Sequence, residues 1–93
     1  MEKDELNLYR KKIDEIDFKI IELYEKRMDI IKKVNEYKLK NNIPTFDSTR
    51  ENTMLEKNLL KIKNNQYKKY YPLILDGFLK ASKKLQDDSK NNF

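Results

Sequence analysis

Residues 22–34, ELYEKRMDIIKKV, decide how this chain folds. Counted from Leu6, apolar side chains recur at Tyr9, Ile13, Ile16, Ile20 and Leu23, and again at Ile30, Val34 and Tyr37. The steps alternate between three and four, which is the seam spacing of helices packed side by side. The seam position between Leu23 and Ile30 is residue 27, and it holds an arginine. A permanently charged fork thus interrupts an otherwise apolar stripe.

Outward from that stretch, no Gly or Pro breaks the pattern between about Leu6 and Lys40. One helix of about 50 Å at 1.5 Å per residue is therefore expected. A helix that long in a small domain belongs to a coiled coil or a bundle. Asn41-Asn42 ends it, and Ile43-Pro44 forces an extended link. A second helix is expected over about 48–64, with Met54, Leu55, Leu59 and Ile62 on one side. A third is expected over about 68–87, with Tyr67, Tyr71, Ile74, Phe78, Ala81 and Leu85 as its seam. Pro72 fits only a first turn, so the third helix either starts late or kinks there. Gly77 in mid-helix suggests a close helix crossing. The domain would span residues 1–88, followed by a polar tail over 89–93.

Composition narrows the chemistry. Of 93 residues, 40% are charged and 38% apolar, which suits a helical protein that completes its core by oligomerising. No run of about 18 apolar residues is present, so no membrane span is expected. The first residues lack the apolar core of a secretory signal, so the cytoplasm is the expected compartment. His and Cys are both absent. Thiol nucleophiles, thiolate zinc sites and histidine relays are thereby excluded, and no metal site is expected. The net charge of +5 invites a nucleic-acid reading, but the chain is rich in Lys, Asn and Ile throughout. Only three of its 21 basic residues are arginines: Arg10, Arg27 and Arg50. Lysine supplies a point charge, whereas arginine supplies a planar fork that grips a carboxylate with two bonds.

A second stripe runs through Arg10, Asp17, Tyr24, Ile31 and Lys38 at intervals of seven, so Arg10 and Lys38 border the seam. Flanking charge of this kind can simply snorkel. That explanation is weaker for Arg27, because an unpaired buried charge is costly. Arg10 and Arg27 lie roughly 25 Å apart along one helix and cannot hold one small ligand from the same chain. Two such helices packed antiparallel about a two-fold axis near residue 21 would set Arg10 of one chain between Arg27 and Lys38 of the other. A symmetric dimer would then form two cationic pockets, each built from both chains. Farther along, Ser48-Thr49-Arg50-Glu51 fits a capping box. Glu51 also lies one turn before Leu55 on the inward face, where a carboxylate could accept a ligand hydroxyl. On the third helix the stripe Leu75, Leu79 continues into Ser82 and Gln86. Those two polar residues either face solvent at a fraying end or line a pocket.

The order Arg10, Arg27, Lys38, Asp47, Arg50, Glu51, Ser82, Gln86 resembles the active-site pattern of the all-helical (AroQ-type, type II) chorismate mutases. So do the contexts LYRKKIDEIDFKIIELYEKR (8–27), YKLKNNIP (37–44) and FDSTRE (46–51). The resemblance covers about Leu6 to Gln86. It implies an all-α fold with one long, one short and one medium helix per chain, in an intertwined homodimer whose long first helices pair antiparallel. It also implies conversion of chorismate, a small dicarboxylate, to prephenate in the route to phenylalanine and tyrosine. This is a pericyclic shift that needs no cofactor.

By the same resemblance, Arg27 and Arg10 of the partner chain would clamp the carboxylates. Lys38 and Gln86 would face the ether oxygen. Glu51 would accept the ring hydroxyl with the backbone near Asp47 assisting, Arg50 would support the site, and Ser82 would donate to a carboxylate. Phe46 stands where some relatives carry a basic residue, which would remove one carboxylate contact. A neutral Gln86 would free the reaction from any need for acid pH. A stand-alone mutase or an excised domain is expected. The competing readings are an isochorismate–pyruvate lyase on the same fold and a basic helical nucleic-acid-binding or coiled-coil module.

Overall fold

The protein was analysed as a computed structural model that describes residues 2–44 and 48–91, with side chains described over 4–44 and 49–89. Three α-helices follow one another: α1 (Glu2–Lys40), α2 (Ser48–Lys61) and α3 (Tyr71–Asn91). A 3₁₀ turn over Asn65–Tyr70 leads into α3, and no strand occurs among the described residues. The expected all-α class with a long, a short and a medium helix is what is observed.

The helix ends follow from local chemistry. Asn42 takes the left-handed conformation, with φ at 56°, just past the end of α1. The Ile43 N–H then donates to the Lys38 carbonyl at 2.8 Å and the Asn41 N–H to the Tyr37 carbonyl at 3.0 Å. This is a Schellman-type ending with asparagine in the place glycine usually takes. Helix α2 stops at Lys61, a few residues sooner than its apolar pattern suggests. The Asn64 side chain accepts the Gln66 N–H at 2.9 Å, and that local bond starts the 3₁₀ turn instead of prolonging the helix. Helix α3 starts late rather than kinking. Pro72 is its second residue, where a missing N–H leaves no helical bond unmade. Its far end runs past the expected stop near Asp87 to Asn91, with the Ser89 hydroxyl donating to the Leu85 carbonyl at 2.9 Å.

The chain divides into two units, residues 1–30 and 31–93. In the first, every described side chain from Asp4 to Lys26 is exposed, and Arg27 and Met28 are half-buried. The second holds the core. Leu75 is buried at 4% exposure. Met54, Leu55, Leu59 and Ile62 from the α2 segment, and Tyr71, Phe78, Leu79, Ala81 and Leu85 from α3, are half-buried. Asn58 on α2 donates to the Tyr71 hydroxyl on α3 at 2.9 Å, which ties the two helices. The expected α3 seam is covered in part: Tyr71, Phe78, Ala81 and Leu85 are half-buried while Tyr67 and Ile74 are exposed, and the deepest stripe is the other expected one, Leu75, Leu79, Ser82 and Gln86. Both runs contribute to the covered side of the helix, and the one that begins at Leu75 lies deeper.

The long seam of α1 is left open. Leu6, Tyr9, Ile13, Ile16, Ile20, Leu23, Ile30, Val34 and Tyr37 are all exposed. The covered positions near the end of α1 are instead Ile31, Asn35 and Lys38. A correction applies at Gly77, where a close helix crossing was expected. A Cβ built there meets nothing within 4 Å, and the position is exposed. Gly77→Ala should therefore stabilise the fold by about 0.5–1 kcal/mol through helix propensity alone. Urea unfolding checks this, and a loss of stability would show that something does pack against that glycine.

Candidate functional site

Helix α3 presents its polar pair on the buried stripe. Ser82 and Gln86 are one turn apart and are 7% and 6% exposed. The solvent-facing reading of the two residues is thereby set aside. The Ser82 hydroxyl donates to the Phe78 carbonyl at 2.8 Å, so its proton points back onto its own helix. Donating to a ligand carboxylate would need that hydroxyl to rotate.

From α1, the same unit receives Asn35 and Lys38, one turn apart on one face. Lys38 is half-buried. Asn35 is 2% exposed, the most deeply buried side chain described. Its Oδ1 has no hydrogen-bond partner among the described residues. Sequence reasoning missed this residue, although the signal was present. Ile31 and Lys38 belong to the second stripe, and helical spacing places residue 35 between them.

Glu51, in the first turn of α2, is half-buried, and its Oε1 lies 3.2 Å from the Lys83 ammonium of α3. Lys83 is the other residue overlooked in the sequence; it sits beside Ser82 and three positions before Gln86. Two further ion pairs, Lys80–Asp76 at 2.9 Å and Lys84–Asp88 at 3.0 Å, each span one turn of α3 on its exposed side. The hydrogen bond from Lys84 to Asp88 pushes that lysine above its usual range.

Arg50 is exposed at the start of α2. Arg10, exposed, and Arg27, half-buried, belong to the first unit. Asp47 and Phe46 lie outside the described residues, as does the side chain of Ser48, the expected capping partner of Glu51. Among the described residues, no cluster of three or more acidic, His or Cys side chains could hold a metal ion, and no helix is long and apolar enough to cross a membrane. The second unit therefore offers a cation, a carboxylate, a hydroxyl and two buried amides. These are groups that bind and orient a polar organic anion through hydrogen bonds and charge.

Comparison with known proteins gives this arrangement a family. Residues 9–87 match the model of chorismate mutase type II, and the chain belongs to that family. A bifunctional chorismate mutase/prephenate dehydratase of Buchnera aphidicola subsp. Schizaphis graminum is 36% identical over 88 residues. Those residues make up 89% of this chain and 23% of that relative, so the chain spans about a quarter of the relative's length. No solved structure matches the chain.

The unpartnered Asn35 acceptor has a measurable consequence. Leaving a buried acceptor unpaired costs about 1–3 kcal/mol, whereas an apolar side chain of similar shape carries no such penalty. Asn35→Leu is expected to raise the free energy of unfolding of the ligand-free protein by about 1 kcal/mol in urea titrations. A loss of similar size would mean that the amide has a partner, such as an ordered water.

Proposed function

We propose that this chain is a chorismate mutase that works as a homodimer with shared active sites. The observation that carries the reading is the burial of Ser82 and Gln86 in the unit that also holds Lys38 and Glu51, within a chain of this family. In the reaction, the ether C–O bond of chorismate breaks as a new C–C bond forms, giving an isomer with no proton transferred. Negative charge develops on the ether oxygen. Catalysis then consists of holding the compact conformer and stabilising that oxygen with preorganised donors.

Lys38 and Gln86 would face the ether oxygen. Arg27 and Arg10 of the partner chain would hold the two carboxylates, with Ser82 donating to one of them. Glu51 would accept the ring hydroxyl near the backbone of Asp47, and Arg50 would support the arrangement. This biosynthetic step fits a cytoplasmic protein. The dimer is supported by the open seam of α1, since a soluble protein seldom leaves so long an apolar stripe to water. Antiparallel pairing of two α1 helices would cover it and would bring Arg10 to the partner's Arg27 and Lys38.

The decisive test follows chorismate loss and prephenate formation with the purified chain, with isochorismate as a parallel substrate. Prephenate should form, and isochorismate should yield no pyruvate. Arg27→Ala and Lys38→Ala should each lose at least about 2 kcal/mol of transition-state stabilisation in kcat/KM. Full activity in either variant would remove that residue from the site.

Assembly is tested separately. Sedimentation equilibrium should give a dimer at micromolar concentration, and Ile13→Lys/Ile20→Lys, which place charge in the seam, should give monomers. A wild-type monomer would exclude a pocket built from two chains.

A further inference from the structure

The Glu51–Lys83 pair joins two helices, unlike the two one-turn pairs on the outer side of α3. The side chain of Glu51 is 25% exposed and that of Lys83 is 44% exposed, so the pair is better shielded than either of those two. Lys83 follows the buried Ser82 directly and shares a face with the buried Gln86 three positions on. Its ammonium therefore reaches α2 from the edge of the polar stripe.

We propose that Lys83 is a positioning residue of the site: it holds Oε1 of Glu51 and leaves Oε2 to accept the hydroxyl of the ring substrate. This inference rests on the mutase reading, in which Glu51 receives that hydroxyl. A carboxylate on a three-torsion side chain at the start of a helix has several rotamers, and each one not used for binding dilutes the productive arrangement. One charge-assisted bond to a neighbouring helix selects among them before the ligand arrives. The ionised carboxylate keeps lone pairs for a second donor, so the two contacts do not compete. Lysine acts here on a group of the protein, not on a substrate carboxylate.

The experiment compares wild type, Lys83→Met and Lys83→Arg with two compounds: chorismate, and the analogue bearing hydrogen in place of the ring hydroxyl. Lys83→Met keeps the stem and removes the charge. With chorismate it should lower kcat/KM about two- to fivefold, the range of a partly exposed pair, while Lys83→Arg should retain most of the activity. With the deoxy analogue the penalty should vanish, because Glu51 then has no hydroxyl to accept. Circular dichroism spectra and Tm should match among the three proteins.

A penalty that persists with the analogue would overturn the proposal, since it would place Lys83 on a carboxylate or in the general architecture. Lys83→Met activity equal to wild type would overturn it while leaving the mutase reading intact. A wild type that leaves chorismate unchanged would remove both.

Discussion

Helix α1 carries two stripes of side chains, and the chain covers only the last turns of one of them. Ile31, Asn35 and Lys38 are covered within the second unit, while Ile30, Val34 and Tyr37, and the seam from Leu6 to Leu23, stand open to water. A domain of this size buries too little surface to neglect such a stripe. Two short helices cannot wrap a helix of 39 residues. The open stripe therefore constrains everything else. It favours a second copy of the chain, and in the proposed pairing it decides which cations share a pocket.

The covered stripe is unusual in another way. Among the most deeply buried side chains described, one is apolar, Leu75, and three are polar: Asn35, Ser82 and Gln86. An ordinary core would fill those positions with leucine or valine and gain stability from the exchange. Amides and a hydroxyl in the interior cost desolvation and return it only when each group has a partner. Asn35 is the case in point, with an acceptor that meets no partner among the described residues. Violations of the core rule in the unit that also holds a half-buried lysine and carboxylate are the kind of exception that functional sites make.

Much of this was legible in the residues. The three helices followed from apolar periodicity and from the scarcity of Gly and Pro, and the end of α1 followed from Asn41-Asn42 before Ile43-Pro44. Arg27 stood out because a charge in a seam contradicts its neighbours. What escaped notice depended on packing. Both stripes of α3 were visible, but which of them lies deeper is set by the surface α3 meets, and the two look alike on a helical wheel. Asn35 was hidden because asparagine is common throughout this chain and draws no attention. Lys83 was hidden among many lysines, and only its 3.2 Å approach to Glu51 sets it apart. The 3₁₀ turn after α2 was missed because one side-chain bond from Asn64 outweighs a weak apolar pattern.

Under the proposed pairing, binding and assembly are linked. Arg10, Arg27, Lys38 and Arg50 would gather at each pocket, and like charges drawn into a partly desolvated space repel one another. A net charge of +5 per chain adds a weaker, longer-ranged repulsion between two copies. The apolar seam must therefore supply the attraction while the pockets oppose it. A dicarboxylate in each pocket would neutralise much of that opposition, so an anion that binds only the paired form also strengthens the pairing. In that pairing the arginine that interrupts the seam would have a thermodynamic role as well as a chemical one: ligand binding would strengthen a dimer that the gathered cations weaken.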